Sequence, residues 1–93
     1  MSETDVDVAC SPTGDGWTCV ATVGGAGAPT THDVTVRARD LARLAPGAED
    51  PLDLVRRSFA FLLEREPKTS ILRRFDLMVI GRYFPEFEAA IRA

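Results

Sequence analysis

The feature that most limits how this chain can fold is a period-two alternation across residues 5–23. Val6, Val8 and Cys10 share one parity, and Asp5 and Asp7 take the other. Beyond Pro12-Thr13-Gly14-Asp15-Gly16, residues Trp17, Cys19, Ala21 and Val23 alternate with Thr18, Val20 and Thr22. Successive strand side chains point to opposite faces, so two such runs about a Gly/Asp turn make a hairpin with one apolar face. Parity restricts the register. A loop over 13–16 opposes Val6 with Val23, Val8 with Ala21, Cys10 with Cys19 and Pro12 with Trp17. A two-residue loop, Asp15-Gly16, keeps the same faces, whereas a three-residue loop mixes them and is disfavoured.

After the flexible connector GGAGAP at 24–29, residues 31–39 alternate again, with Val34, Val36 and Ala38 inward. Strands at 5–11, 17–24 and 31–39 therefore predict a three-stranded antiparallel meander whose apolar face needs a cover. Asp40-Leu41-Ala42-Arg43-Leu44 reads as one capped helical turn or a short 3₁₀ piece. Asp50 followed by Pro51 predicts the N-terminus of the principal helix, over 51–65, ending before Pro67. Its stripe of Leu52, Val55, Phe59, Leu62 and Leu63 suits the sheet. Leu54 and Phe61 fall on the opposite side and imply a second contact. Short helices over 70–92 supply it, beginning with one through 71–75 capped by Thr69 or Ser70 and continuing behind Asp76 and Pro85. The expected fold is α+β: a three-stranded meander covered by one long helix, with short C-terminal helices packed on that helix, in a single domain over 1–93.

Composition narrows function mostly by exclusion. At 93 residues, 45% hydrophobic and 27% charged, the chain is neither disordered nor a disulfide-packed toxin. Residues 1–50 carry three cations against eight anions, a net −5, and residues 51–93 carry eight against six, a net +2, giving −3. That balance disfavours a general polyanion binder. Ten of the eleven cations are Arg, which reads more simply as codon bias than as anion recognition. Six of the seven aromatics lie within 59–87, so the second half holds most of the packing volume. The acidic start MSETDVDVAC has neither a basic region nor a long apolar run, so a cytoplasmic location without membrane association is expected.

Residues 64–88, EREPKTSILRRFDLMVIGRYFPEFE, are the most distinctive stretch. Glu66-Pro67-Lys68, Ile71-Leu72-Arg73-Arg74-Phe75-Asp76-Leu77 and Tyr83-Phe84-Pro85-Glu86 resemble a family of short, uncharacterised bacterial proteins with an Ile-Leu-Arg-x-Phe-Asp-Leu run and a Tyr-Phe-Pro-Glu run. The resemblance covers about a quarter of the chain and implies no catalytic residue.

Sites for chemistry are sparse. Opposed Cα atoms of Cys10 and Cys19 would lie ~4.5–5.5 Å apart, within reach of a disulfide and of a thiol redox role, although core-facing strand cysteines usually stay reduced. Metal binding is not expected, because Cys10, Cys19 and His32 lack ligand spacing. His32 beside Asp33 reads as a strand-entry residue in water. No nucleophile elbow or phosphate loop is present, so neither a catalytic residue nor a cofactor is expected. Arg73, Arg74 and Arg82 are candidate anion contacts near Tyr83 and Phe84, a weak nucleic-acid signature. Leu54, Phe61, Tyr83, Phe84 and Phe87 are candidates for a partner interface. The expected function is a small non-enzymatic protein–protein interaction module, most simply a homodimer. A nucleic-acid-binding or antitoxin-like accessory domain is the alternative, and a small redox protein using Cys10 and Cys19 the second.

Overall fold

A computed structural model describes residues 5–25 and 27–92. Residues 1–4 of the acidic start and Ala26 of the connector lie outside them. Three strands, β1 (Val6–Pro12), β2 (Gly16–Val23) and β3 (Thr30–Arg37), pair antiparallel in sequence order. The β1–β2 register is the one set by a loop over 13–16, with Val8 opposite Ala21 and Cys10 opposite Cys19. Gly16 has to be glycine at the turn exit. A Cβ there would run into the Val36 carbonyl and lie 2.8 Å from the Arg37 Cα. The same turn accepts a hydrogen bond at the Asp15 carbonyl from the Ala38 N–H, 3.0 Å away.

The sheet does not stop at three strands. A fourth, β4 (Arg74–Asp76), pairs with β3 in parallel, setting Asp33 against Arg74, Val34 against Phe75 and Thr35 against Asp76. The expected three-stranded antiparallel meander is therefore corrected to a four-stranded mixed sheet, ordered β1-β2-β3-β4. The physical reason is the free edge of β3. Its unpaired backbone groups are satisfied by the returning chain, as the Asp33 N–H donating to the Arg73 carbonyl at 2.7 Å shows. The capped helix expected over 71–75 is replaced by a 3₁₀ turn at Lys68–Ser70 and then this strand.

One long helix is not what covers the sheet either. The connection from β3 to β4 holds two helices, α1 (Ala38–Leu44) and α2 (Leu52–Leu63), and two short ones follow, α3 (Ile80–Tyr83) and α4 (Phe87–Arg92). α1 begins at Ala38, so Asp40 lies inside its first turn rather than capping it. Asp40 is buried there, and its Oδ2 has no hydrogen-bond partner among the described residues. The N-cap of α2 is Pro51 rather than Asp50, which stands one residue earlier and accepts from the Leu52 N–H at 3.0 Å.

α2 lies across β1 and β2, while α1 packs on β2, β3 and α4. Val55, Phe59 and Leu62 enter the core with Cys19, Ala21, Val34 and Val36. Leu54 and Phe61, on the other side of α2, are buried as well. Phe61 meets Phe84 and Phe87 edge-on, at ring-centroid distances of 6.0 and 5.2 Å. Such contacts add about 0.5–1.5 kcal/mol to the area they bury. Polar links fasten the same segment. Arg43 grips Glu88 through two hydrogen bonds of 2.8 and 3.0 Å, and Arg57 donates to the Ile91 carbonyl at 2.9 Å.

Candidate functional site

A well-formed concavity opens where the end of α2 meets the segment that returns to the sheet. It is a cleft of about 310 Å³, within the range that receives a small ligand or a side chain. Each wall has a local cause. α2 ends at Leu63, ahead of Pro67, leaving Leu62 and Glu66 on the helix side. The 3₁₀ turn then carries Ser70, Ile71 and Leu72 past the mouth. β4 buries Phe75 by pairing with β3. Asp76 accepts from the Met78 N–H at 2.9 Å and starts the turn that presents Val79, Ile80 and Tyr83.

Leu62, Ile71, Phe75 and Ile80 are buried and form the floor. Leu72 and Tyr83 stand on the rim, 47% and 66% exposed. Glu66 is the one charged residue in the lining, and its carboxylate makes no ion pair or hydrogen bond among the described residues. The lining holds no imidazole, thiol or amine that could activate the Ser70 hydroxyl.

His32 holds the mouth in place. The imidazole is 1% exposed and on the core face, packed 5.4 Å from Phe59. A carbonyl can only accept, so Nδ1–H donates to Leu72 O at 2.7 Å; in the neutral ring Nε2 then accepts from the Thr30 hydroxyl at 2.8 Å. The expectation of a solvated strand-entry residue is corrected. His32 has the parity of Val34 and Val36, which is the signal that places it inward. Lys68 provides a second tie, donating to the Gly24 carbonyl at 3.1 Å.

The other candidate residues separate cleanly. Leu54, Phe61 and Phe87 are 1%, 7% and 0% exposed and are occupied by the chain's own core, so they offer a partner no surface. Phe84 is partly buried and lines the cleft, and Tyr83 is exposed. Arg74 lies 3.7 Å from Asp33, while Arg73 and Arg82 are exposed without an ion pair among the described residues. Leu72 and Glu66 stand in the distinctive motifs but are not expected as site residues from the sequence, because exposure of a Leu and isolation of a Glu are properties of the assembled walls.

Cys10 and Cys19 are joined in a disulfide with Cα atoms 4.0 Å apart. The expectation that they stay reduced is corrected: directly opposed strand positions bring the thiols together. Cys19 is wholly buried and Cys10 partly so, which makes the bond part of the core wall. Among the described residues, no three His, Cys, Asp or Glu side chains are grouped to hold a metal, and no helix is long and apolar enough to cross a membrane. No family model, no curated protein and no solved structure matches this chain.

Proposed function

We propose that this chain is a small non-enzymatic protein–protein interaction module whose working surface is the cleft between the end of α2 and the segment from Ser70 to Phe84. One observation carries the reading. Of the three large apolar side chains that stand exposed among the described residues, two, Leu72 and Tyr83, flank the same apolar cleft. Folding favours hiding such groups, and exposed ones gathered about a concavity mark a surface completed by another molecule. The stretch most distinctive in sequence, 64–88, is also the stretch that builds nearly all of the cleft.

A titration with acetyl-phenylalanine amide, followed by backbone amide NMR, tests the reading. The blocked aromatic residue stands in for a partner's apolar side chain. Shifts concentrated at Leu72, Val79 and Tyr83 are expected, saturating in the millimolar range on the order of what one buried ring supplies. Shifts scattered over β1 and β2, or none, would count against the cleft as the working surface.

A further inference from the structure

We infer that the occupant of the cleft is a second copy of this chain, joined across a two-fold axis; the inference rests on the cleft being an interaction surface. A two-fold interface must complement itself, so one patch has to carry both halves of every contact. This patch does. It holds a hollow floored by Leu62, Ile71 and Ile80, and it holds the exposed knobs Leu72 and Tyr83 that a hollow of this kind receives. Its charges complement one another in the same way. Glu66 brings an unpaired carboxylate to the lining, and Arg82, exposed and unpaired among the described residues, directly precedes Tyr83.

An aromatic anchor flanked by a cation is the occupant that an apolar cleft with one free carboxylate selects. This chain presents that pair in Arg82-Tyr83. In the dimer, Tyr83 of each copy covers the cleft of the other, and Arg82 of each reaches Glu66 of the other. Within one copy the arrangement leaves Tyr83 two-thirds exposed on the rim of its own cleft. Both Tyr83 rings are thereby free to close the opposite mouth.

Sedimentation equilibrium of the full chain over roughly 10–500 µM tests this, since an interface of modest size gives a micromolar constant. A monomer–dimer equilibrium is expected. Tyr83→Asp should weaken association at least tenfold without altering the melting temperature, because the ring is exposed. Glu66→Arg and Arg82→Glu should each weaken it about tenfold, and the two combined in one chain should restore it. A chain monomeric throughout, a dimer indifferent to Tyr83→Asp, or a combined variant as weak as the single ones each overturns the inference. Acetyl-phenylalanine amide separates the two levels. If a monomeric chain still shows localised shifts at Leu72 and Tyr83, another protein fills the cleft and only the second copy is overturned. If those shifts are also absent, the interaction reading falls with it.

Discussion

Single residues at two points fix geometry that the rest of the chain follows. His32 connects β3 to the mouth of the cleft through the Leu72 carbonyl, which lies forty residues away in sequence. His32→Ala removes a buried ring, leaves that carbonyl without its donor and frees the Thr30 hydroxyl. A loss of about 2–4 kcal/mol is expected from the cavity and the unpaired acceptor together. Urea denaturation gives the magnitude, and faster amide exchange at Arg73 and Phe75 would locate it; a loss below about 1 kcal/mol would mean that the tie is dispensable. Gly16 acts by what it lacks. Gly16→Ala drives a methyl group into the backbone of β3 and should cost at least about 2 kcal/mol, whereas Gly14→Ala, with nothing within 4 Å of the new Cβ, should stay within about 0.5 kcal/mol. Equal melting temperatures for the two variants would contradict the close approach at Gly16.

Among the elements, α2 and α4 are fastened to each other just beyond their ends. Arg65 lies over the Phe61 ring, 3.6 Å from its centroid, donates to the Phe61 carbonyl at 2.9 Å and pairs with Glu86 at 3.2 Å. The Glu86 carboxyl is held below the usual carboxylate range, first by its own backbone N–H and then by Arg65. A folded value lower than the unfolded one makes its contribution complete above the usual range and lost as pH falls through the lowered value. The carboxyl is open to solvent, so the effect on stability is small and the titration itself is the better readout. Carbon-detected NMR should place the Glu86 midpoint below the ordinary glutamate value, and Arg65→Gln should bring it only part of the way back, because the backbone donor remains. An unmoved midpoint in Arg65→Gln would remove Arg65 as a cause. The elements differ in how far the sequence announces them, and the reasons are physical. The β1–β2 register follows from parity, since a slip of one residue would turn Val8 and Ala21 to opposite faces. β4 is hidden because three residues, Arg74, Phe75 and Asp76, are too few to show a period, and what makes them a strand is the open edge of β3. The cleft is hidden for the same reason. Tyr83 and Phe84 stand out as aromatics in sequence, but Leu72 becomes a rim residue only after β4 has paired and His32 has taken its carbonyl.

For the molecule as a whole, the decisive fact is that 93 residues leave a thin margin, and β1, an edge strand like β4, is paired on one side only. β1 has one neighbour in the sheet, β2, and is also held by the packing of α2 and by the Cys10–Cys19 bond. Asp5 and Asp7 discourage a further strand from joining its free side. The disulfide closes a loop of only nine residues in sequence separation, so constraint of the unfolded chain contributes roughly 2–3 kcal/mol. Reduction with dithiothreitol should therefore lower the melting temperature by about 10–20 °C in a domain of this size. The loss should not be uniform. β3 is flanked on both sides by β2 and β4, so its amides keep their protection, while those of Val6, Val8 and Cys10 should exchange first in the reduced protein. The cleft stands on the β3–β4 side, with Leu72 tied to β3 through His32, and its response to acetyl-phenylalanine amide should survive reduction. If reduction instead accelerates exchange equally in β1 and β3, or abolishes the shifts at Leu72 and Tyr83, the bond supports the whole sheet and the cleft depends on it.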